Sequence, residues 1–373
     1  PRPSPSRALS SPAAASTLPT TFPVRHDWTP EQIGAIYHSP FLSLVYTAAT
    51  AHRTHFDPSQ VQKCTLLSIK TGGCPEDCKY CAQSARYPTP VEAEPLLQLE
   101  PVLASARAAK ASGSTRFCMG AAWKGAAQVG PRQFQRVLDM VSEVRALGLE
   151  VCATLGAVDE AQAARLKAAG LTAYNHNIDT SKDFYPKIIS TRTFDSRLAT
   201  LAAVRAAGIS VCSGGILGLG ESHTDRISML HTLSTLPSHP ESVPVNALVP
   251  NEGTPLENAE RVPVWDMVRM IATARIIMPR SMVRLSAGRV ALSLTEQALC
   301  FMAGANSIFT GDKLLTTPNN ELDDDSKMFE MLGLEGKPPF FGADVEEEVV
   351  RPAEEGVEEE LVAAKRSSVA ASA

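Results

Sequence analysis

Cys74, Cys78 and Cys81 stand in the run Gly73-Cys74-Pro75-Glu76-Asp77-Cys78-Lys79-Tyr80-Cys81-Ala82-Gln83-Ser84, with three residues and then two between the thiols. Two CxxC-type loops would offer four thiolates, enough to close a structural zinc or iron–sulfur site. This single loop offers three and then stops. On a cubane iron–sulfur cluster, three thiolates leave one iron without a protein ligand and open to a small molecule. An incomplete ligand set points to chemistry, because a structural site gains nothing from an open position. The same thiols could equally form half of a structural zinc site, or a redox pair with a spare. Spacing alone leaves these readings open.

A second set of candidates is spread along the chain in short β-prone runs: Cys118, Cys152, Cys212 and Arg284. A lone cysteine in such a run is usually a small buried hydrophobe. Three on three strands of one barrel would converge on one volume. Residues 174–179 read Tyr-Asn-His-Asn-Ile-Asp, so strand alternation puts Asn175, Asn177 and Asp179 on one face and His176 and Ile178 on the other. Polar groups aimed at an interior must find hydrogen-bond partners. Asn246 is a similar polar intrusion into an apolar run, whereas His176 reads as packing against an outer helical layer. Cys64 and Cys300 lack polar company and read as core thiols. Asp323-Asp324-Asp325 reads as a solvated loop, able at most to hold a hard cation. Residues 214–221, Gly-Gly-Ile-Leu-Gly-Leu-Gly-Glu, lack a third glycine in the dinucleotide register and read as a close-approach strand-to-helix turn.

The elements that must position these residues announce themselves by repetition. A basic residue, two small or apolar residues and a glycine recur at Lys110–Gly113, Arg145–Gly148, Lys167–Gly170 and Arg205–Gly208. Each reads as a helix ending in a left-handed cap, and a β-prone run follows each one. The helix before the second phrase carries Phe134, Val137, Leu138, Val141, Val144 and Leu147 on one face. Strands are expected at 65–69, 115–119, 149–154, 171–178, 209–213, 243–249, 282–285 and 307–310, with further helices at 224–236 and 264–277. Such alternation is the pattern of an α/β fold with a parallel sheet, and this strand count is that of a (β/α)8 TIM-type barrel. An open doubly wound sheet is the alternative. In a parallel barrel, chemistry gathers at the carboxyl ends of the strands. The cysteine loop then follows the first strand, with Cys118, Cys152, Cys212 and Arg284 on the second, third, fifth and seventh.

A chain of 373 residues, 44% hydrophobic, can bury a large core as one domain. The net charge of −5 is uneven, because the segment from Gly342 onward carries nine acidic and three basic residues. The rest is close to neutral, which argues against a nucleic-acid-binding face. No run of about eighteen apolar residues exists, so no helix crosses a membrane. The eight cysteines read as metal or catalytic groups rather than disulfides. Residues 1–27 are expected to be a disordered leader, either the remnant of an organellar transit peptide or a linker, with Arg2, Arg7 and Arg25 and no acid before Asp27. Residues 28–340 are expected to form the barrel domain, with folding starting near Trp28, where Thr29-Pro30-Glu31 reads as a helix N-terminus. Residues 341–373 read as a disordered acidic tail.

CxxxCxxC with the aromatic Tyr80 just before the last cysteine resembles the cluster loop of the radical S-adenosylmethionine enzymes. Further segments are similar to the biotin synthase family within that group: Arg116-Phe117-Cys118-Met119-Gly120, residues 174–180, residues 212–221, Arg284-Leu285-Ser286-Ala287-Gly288-Arg289 and Leu314-Leu315-Thr316-Thr317-Pro318-Asn319. The likeness runs from about Trp28 to Pro338. It implies a sulfurtransferase that inserts sulfur into dethiobiotin to form biotin by radical chemistry. It implies a [4Fe–4S] cluster on Cys74, Cys78 and Cys81 that binds S-adenosylmethionine, and a [2Fe–2S] sulfur-donor cluster on Cys118, Cys152, Cys212 and Arg284. As an iron ligand, Arg284 enters through this resemblance only. Tyr80, Asn177, Asp179, Gly215 and Glu221 are implied to meet the cofactor. Asn175, Asn177, Asn246, Thr316 and Thr317 are implied to meet the substrate, the two threonines through backbone N–H groups at its carboxylate. The implied partners are an electron donor of ferredoxin or flavodoxin type, iron–sulfur assembly machinery and a second copy of the chain. With the leader, the likeness favours a mitochondrial location, with the cytoplasm as alternative. The nearest rival is another radical S-adenosylmethionine enzyme with a different auxiliary site; a zinc-stabilised binding module is separated by metal analysis, and an electron carrier needs neither an open iron nor a polar-lined barrel.

Overall fold

The computed structural model describes residues 18–311, 313–320 and 322–340; most of the expected leader, up to residue 17, and the acidic tail from residue 341 lie outside the described residues. Two helices come first, α1 (Pro30–Tyr37) and α2 (Phe41–His55). Thr29 caps α1 through a reciprocal box with Gln32, and Pro30 opens its first turn. The chain is already engaged before Trp28: Phe22 is buried, and the His26 ring lies 4.2 Å from that of His239.

The strands are β1 (Gln60–Lys70), β2 (Arg116–Ala121), β3 (Glu150–Thr154), β4 (Ala173–Asn175), β5 (Ser210–Cys212), β6 (Gly215–Leu217), β7 (Ser242–Ala247), β8 (Met282–Leu285), β9 (Ser307–Thr310) and β10 (Glu335–Gly336). Around them lie α3 (Leu99–Ala111), α4 (Pro131–Ala146), α5 (Glu160–Ala168), α6 (Tyr185–Ile188), α7 (Phe194–Ala206), α8 (His223–Ser234), α9 (Val264–Ile277), α10 (Leu294–Met302) and α11 (Leu322–Leu332). Every strand pairing is parallel, and β1 pairs with both β2 and β9, so the sheet closes on itself. β5 and β6 both lie against β7, with Cys212 opposite Ser242 and Gly215 opposite Val245. They are one barrel strand interrupted at Ser213-Gly214, which leaves eight positions around the barrel with β10 as a short addition to β1. The closed (β/α)8 form therefore holds and the open doubly wound alternative does not.

The break in the fifth strand has a steric cause. A Cβ on Gly214 would lie 2.0 Å from the Pro244 carbonyl oxygen, and one on Gly215 would lie 2.0 Å from Met229 Sδ. Backbone approaches this close only where no side chain intervenes.

The repeated phrase does more than end helices. Gly113, Gly148, Gly170 and Gly208 all have positive φ, between 69 and 97°, as left-handed caps require. The basic residues then reach forward. Lys110 Nζ donates to the Leu147 carbonyl at 2.6 Å, and Lys167 Nζ to that of Gly208 at 2.6 Å. Arg205 donates to the carbonyl of His239 at 3.0 Å. These three cations each satisfy a carbonyl at the turn of a later βα unit, which ties neighbouring units together. On α4, Phe134, Val137, Leu138, Val141 and Val144 are buried against the barrel, each stabilising by about 1.5–3 kcal/mol.

Candidate active site

The loop after β1 is held from several sides before any metal is considered. Gly72 and Gly73 both adopt positive φ, and a Cβ on Gly72 would lie 2.5 Å from the Glu92 carbonyl. The Cys74 N–H donates to Gln83 O at 2.9 Å, and the Ala85 N–H to Cys74 O at 2.7 Å. Asp77 accepts from the N–H groups of Ser190 and Thr191 at 2.9 and 3.1 Å, tying this loop to the one before α7. Burial works against its ionisation, but these donors prevail and lower its carboxyl to about 2. Glu76 is paired with Arg192 at 3.2 Å. Burial pushes the Cys74 thiol up, the Cys78 thiol far up and the Cys81 thiol to about 11. As metal-free groups they are therefore protonated at neutral pH, and metal binding would release those protons.

A cavity of about 250 Å³ opens inside the barrel below this loop, lined on its upper side by Tyr80 and Cys81. Its wall carries Asn175, Asn177, Asp179 and Asn246. Asp179, at φ 69°, accepts from Tyr80 Oη at 3.0 Å and pairs with Arg197 at 2.7 Å. Burial raises its pKa, with the Arg197 charge opposing. Asn175 donates to Cys212 Sγ at 3.2 Å, and Asn177 Oδ1 accepts from the Gly214 N–H at 3.2 Å. Asn246 donates to Gly215 O at 2.9 Å and accepts from the Ala287 N–H at 3.2 Å. Each amide keeps spare capacity for a ligand, since an amide has two donors and two lone pairs. His176 faces the other way, is buried, and lies 3.5 Å from Arg192.

Cys118 and Cys152 are cross-strand neighbours on β2 and β3, both buried and both lining the cavity floor. Arg284, fully buried on β8, also lines it, with its guanidinium carbon 4.7 Å from the Phe309 ring centre. It donates to Ser307 Oγ at 2.9 Å, Gln62 Oε1 at 3.3 Å, Cys64 Sγ at 3.4 Å and Cys212 Sγ at 3.7 Å. Cys64 is a buried core thiol, as expected, but not without polar company: it packs with Cys118 and Cys152 and shares the Arg284 guanidinium with Cys212. Cys300 is buried, as a core thiol should be. Hydrogen bonds from Cys152 and Cys64 drive the Cys118 thiol up, while the Cys118 hydrogen bond drives Cys152 down. All eight cysteines are free. Among the described residues, no group of three or more His, Cys, Asp or Glu side chains is drawn together around one metal ion. The floor thiols instead border a shared volume as buried sulfur donors, the donor type that iron–sulfur clusters use.

Gly215 and Glu221 stand apart from the cavity lining. Both Glu221 carboxylate oxygens accept from the Gly218 N–H at 3.1 Å, and Arg226 donates to it at 2.7 Å, so its side chain braces its own turn. Gly215 accepts from Asn246 and lies beside Asp179, whose carbonyl takes the Ile216 N–H at 2.8 Å. Thr316 and Thr317 line the cavity from the segment after β9. That segment folds over the barrel mouth: the Leu314 N–H donates to Thr317 O at 2.9 Å, and a Cβ on Gly120 would lie 2.5 Å from Leu315 Cδ2. Asn319 ties its far end to the Phe309 and Gly311 carbonyls at 3.0 and 2.7 Å, and Arg289 donates to the same Phe309 carbonyl while held by Asp325, which sits in the first turn of α11 rather than in a solvated loop. Asp325 is buried and grips Arg289 through both carboxylate oxygens, at 2.6 and 2.8 Å. Asp325→Asn should cost roughly 1.5–3 kcal/mol and loosen the segment. Limited proteolysis near residue 315 checks this, and cleavage no faster than in the parent would contradict the anchoring role.

The family models that match are the Radical SAM superfamily over residues 68–233 and the Biotin and Thiamin Synthesis associated domain over residues 244–335. The chain is 62% identical to the biotin synthase of Cytophaga hutchinsonii over 321 residues, covering 86% of this chain and 95% of that one. It is 59% identical to the mitochondrial biotin synthase of Arabidopsis thaliana, covering 86% and 84%. The chain belongs to the biotin synthase family. Solved structures with the same fold include a methylornithine synthase, 19% identical at TM-score 0.69, covering 84% of this chain and 94% of that one. The hydrogenase maturase HydG from Carboxydothermus hydrogenoformans is 14% identical at TM-score 0.71, covering 85% and 77%.

Several members of this biotin synthase site were not singled out from the sequence. Arg116, paired with Glu150 at 2.5 Å beneath the thiols, sits in a phrase used only for its cysteine. Arg197, the partner of Asp179, lies on α7, where a charged residue ordinarily faces water. Gln62, two residues before Cys64, could have been found by strand alternation, which puts both on the inward face.

Proposed function

We propose that the chain is a radical S-adenosylmethionine sulfurtransferase that converts dethiobiotin to biotin. One observation carries the assignment of residues. A three-thiol loop lies at the mouth of the barrel, Cys118, Cys152 and Arg284 line its floor with Cys212 in contact with Arg284, and polar residues line the wall. Cys74, Cys78 and Cys81 would hold the [4Fe–4S] cluster with S-adenosylmethionine, and Cys118, Cys152, Cys212 and Arg284 the [2Fe–2S] cluster. When bound, these groups supply hydrogen abstraction from an unactivated C–H and the sulfur that replaces that hydrogen.

The chain's own residues supply position and exclusion of water. Asp179, fixed by Tyr80 and Arg197, presents a carboxylate suited to nucleoside hydroxyl groups. Asn177 and Asn246, each held by one backbone contact or more, present amide groups suited to the ureido ring of dethiobiotin. Asn175 stands beside Cys212 at the edge of the floor and would fix that sulfur. Thr316 and Thr317 would take the substrate carboxylate under the folded segment that closes the mouth. Gly215, and the turn that Glu221 braces, would border the adenine through backbone. Gly214 and Gly215 allow this wall to close, because any side chain there would strike Pro244 or Met229.

For partners, the reading adds a ferredoxin- or flavodoxin-type reductant, iron–sulfur assembly machinery and a homodimer. For location it adds the mitochondrion, supported by the 59% identity to the Arabidopsis mitochondrial enzyme. Anaerobic reconstitution with iron and sulfide, followed by dethiobiotin, S-adenosylmethionine and a strong reductant, tests the function. Biotin, methionine and 5′-deoxyadenosine are expected. A colourless protein holding zinc, without iron or acid-labile sulfide, would overturn the reading.

A further inference from the structure

The ligand set assigned above leaves one sulfur, packed behind the cavity floor, without a role. Cys64 is fully buried on β1, two residues before Leu66, the residue directly opposite Cys118. Its Sγ lies 3.4 Å from Arg284 Nη2, closer than Cys212 Sγ is to the same guanidinium at 3.7 Å. It is also 3.6 Å from Gln62 Oε1 and 3.9 Å from Ser307 Oγ. With Cys118 and Cys152 it forms one buried cluster. Of the thiols on β1, β2, β3 and β5, Cys118 and Cys152 line the cavity, Cys64 packs against them from behind, and the guanidinium on β8 contacts Cys64 and Cys212. Beside the apolar Ala173, Leu66 and Phe309 of that cluster, Cys64 also meets a cation, an amide and a hydroxyl, which a thiol serving only as a small hydrophobe does not need.

Four cysteines are the ordinary ligand complement of a [2Fe–2S] cluster. A guanidinium, by contrast, has donors only and stays protonated, so it is the unusual member of the assigned set. We propose that Cys64 is a reserve sulfur ligand of the floor cluster, able to take the coordination position assigned to Arg284 when that side chain is withdrawn. With Arg284 in place, Cys64 and Ser307 instead orient the guanidinium. The inference rests on the reading that a cluster sits among Cys118, Cys152 and Cys212.

The test compares reconstituted parent protein with Cys64→Ala, Arg284→Met and the double variant, measuring iron, acid-labile sulfide and Mössbauer and visible spectra. Arg284→Met should keep the [2Fe–2S] content of the parent, with its charge-transfer bands shifted towards all-cysteine ligation. Cys64→Ala should keep both content and band positions. The double variant should lose the [2Fe–2S] cluster, by about tenfold or more in occupancy, while keeping the [4Fe–4S] signal. A double variant indistinguishable from Arg284→Met would overturn the role of Cys64. So would an Arg284→Met protein with parental circular dichroism and [4Fe–4S] signal that holds no [2Fe–2S] cluster. Should Arg284→Met fail to fold, Arg284→Lys, which keeps the charge, takes its place with the same readouts. Absence of a [2Fe–2S] signal from the parent itself would remove the underlying site reading, and this inference with it.

Discussion

Cys152→Ser should abolish biotin formation while cleavage of S-adenosylmethionine to methionine and 5′-deoxyadenosine continues. The two halves of that outcome follow from separation in the barrel. Cys152 is on β3, on the cavity floor beside Cys118, whereas the three-thiol loop follows β1 at the mouth. A serine hydroxyl is nearly isosteric, so little packing is lost, but it is a far poorer iron ligand than a thiolate. The Cys118 hydrogen bond lowers the Cys152 thiol. Loss of a ligand of this kind should reduce product by about 100-fold or more. Single-turnover assays that quantify 5′-deoxyadenosine and biotin together check the uncoupling. Undiminished biotin would remove Cys152 from the sulfur-donor set, and loss of both products would mean that the two centres are not independent.

How far the sequence discloses this arrangement depends on whether the information is local. Cys74, Cys78 and Cys81 sit within eight residues, so their grouping needs no knowledge of the fold. The cap glycines are local too, and each one adopts the left-handed conformation that its phrase implies. Asn175, Asn177 and Asp179 all line the cavity, as strand alternation predicts, although β4 ends at Asn175 and Asp179 turns at φ 69°. Cys64 is different. Apart from Gln62 on the same strand, its polar neighbours come from β8 and β9, and β9 reaches β1 only because the barrel closes, with Cys64 opposite Phe309. Nothing near residue 64 announces that. Asp325 misleads for the same reason: three consecutive acids suggest water, and only the approach of Arg289 makes one of them a buried ion-pair partner. The break between β5 and β6 is the mirror case, where a local glycine pair reads as a turn but its cause is the distant Pro244 carbonyl.

The same dependence on distant partners makes Asp179 the most exposed point of the polar wall. Asp179→Asn should destabilise the protein by roughly 3–5 kcal/mol, because it leaves the buried guanidinium of Arg197 without its counter-charge. Asparagine has nearly the same shape and tolerates the left-handed backbone found at this position, so the substitution isolates the charge. Arg197 would keep the Tyr185 hydroxyl at 2.7 Å and the Asn177 carbonyl at 2.8 Å, which satisfy its hydrogen bonds but do not neutralise it. Removing both charges with Asp179→Asn and Arg197→Met should therefore recover much of the stability without recovering activity. The lost activity should appear as weakened S-adenosylmethionine binding, because Tyr80 would lose the carboxylate that fixes its hydroxyl at the cavity edge. Chemical denaturation of the two single variants and the double variant measures the coupling. A double variant no more stable than Asp179→Asn alone would show that the cost lies in the wall's geometry and not in the stranded charge.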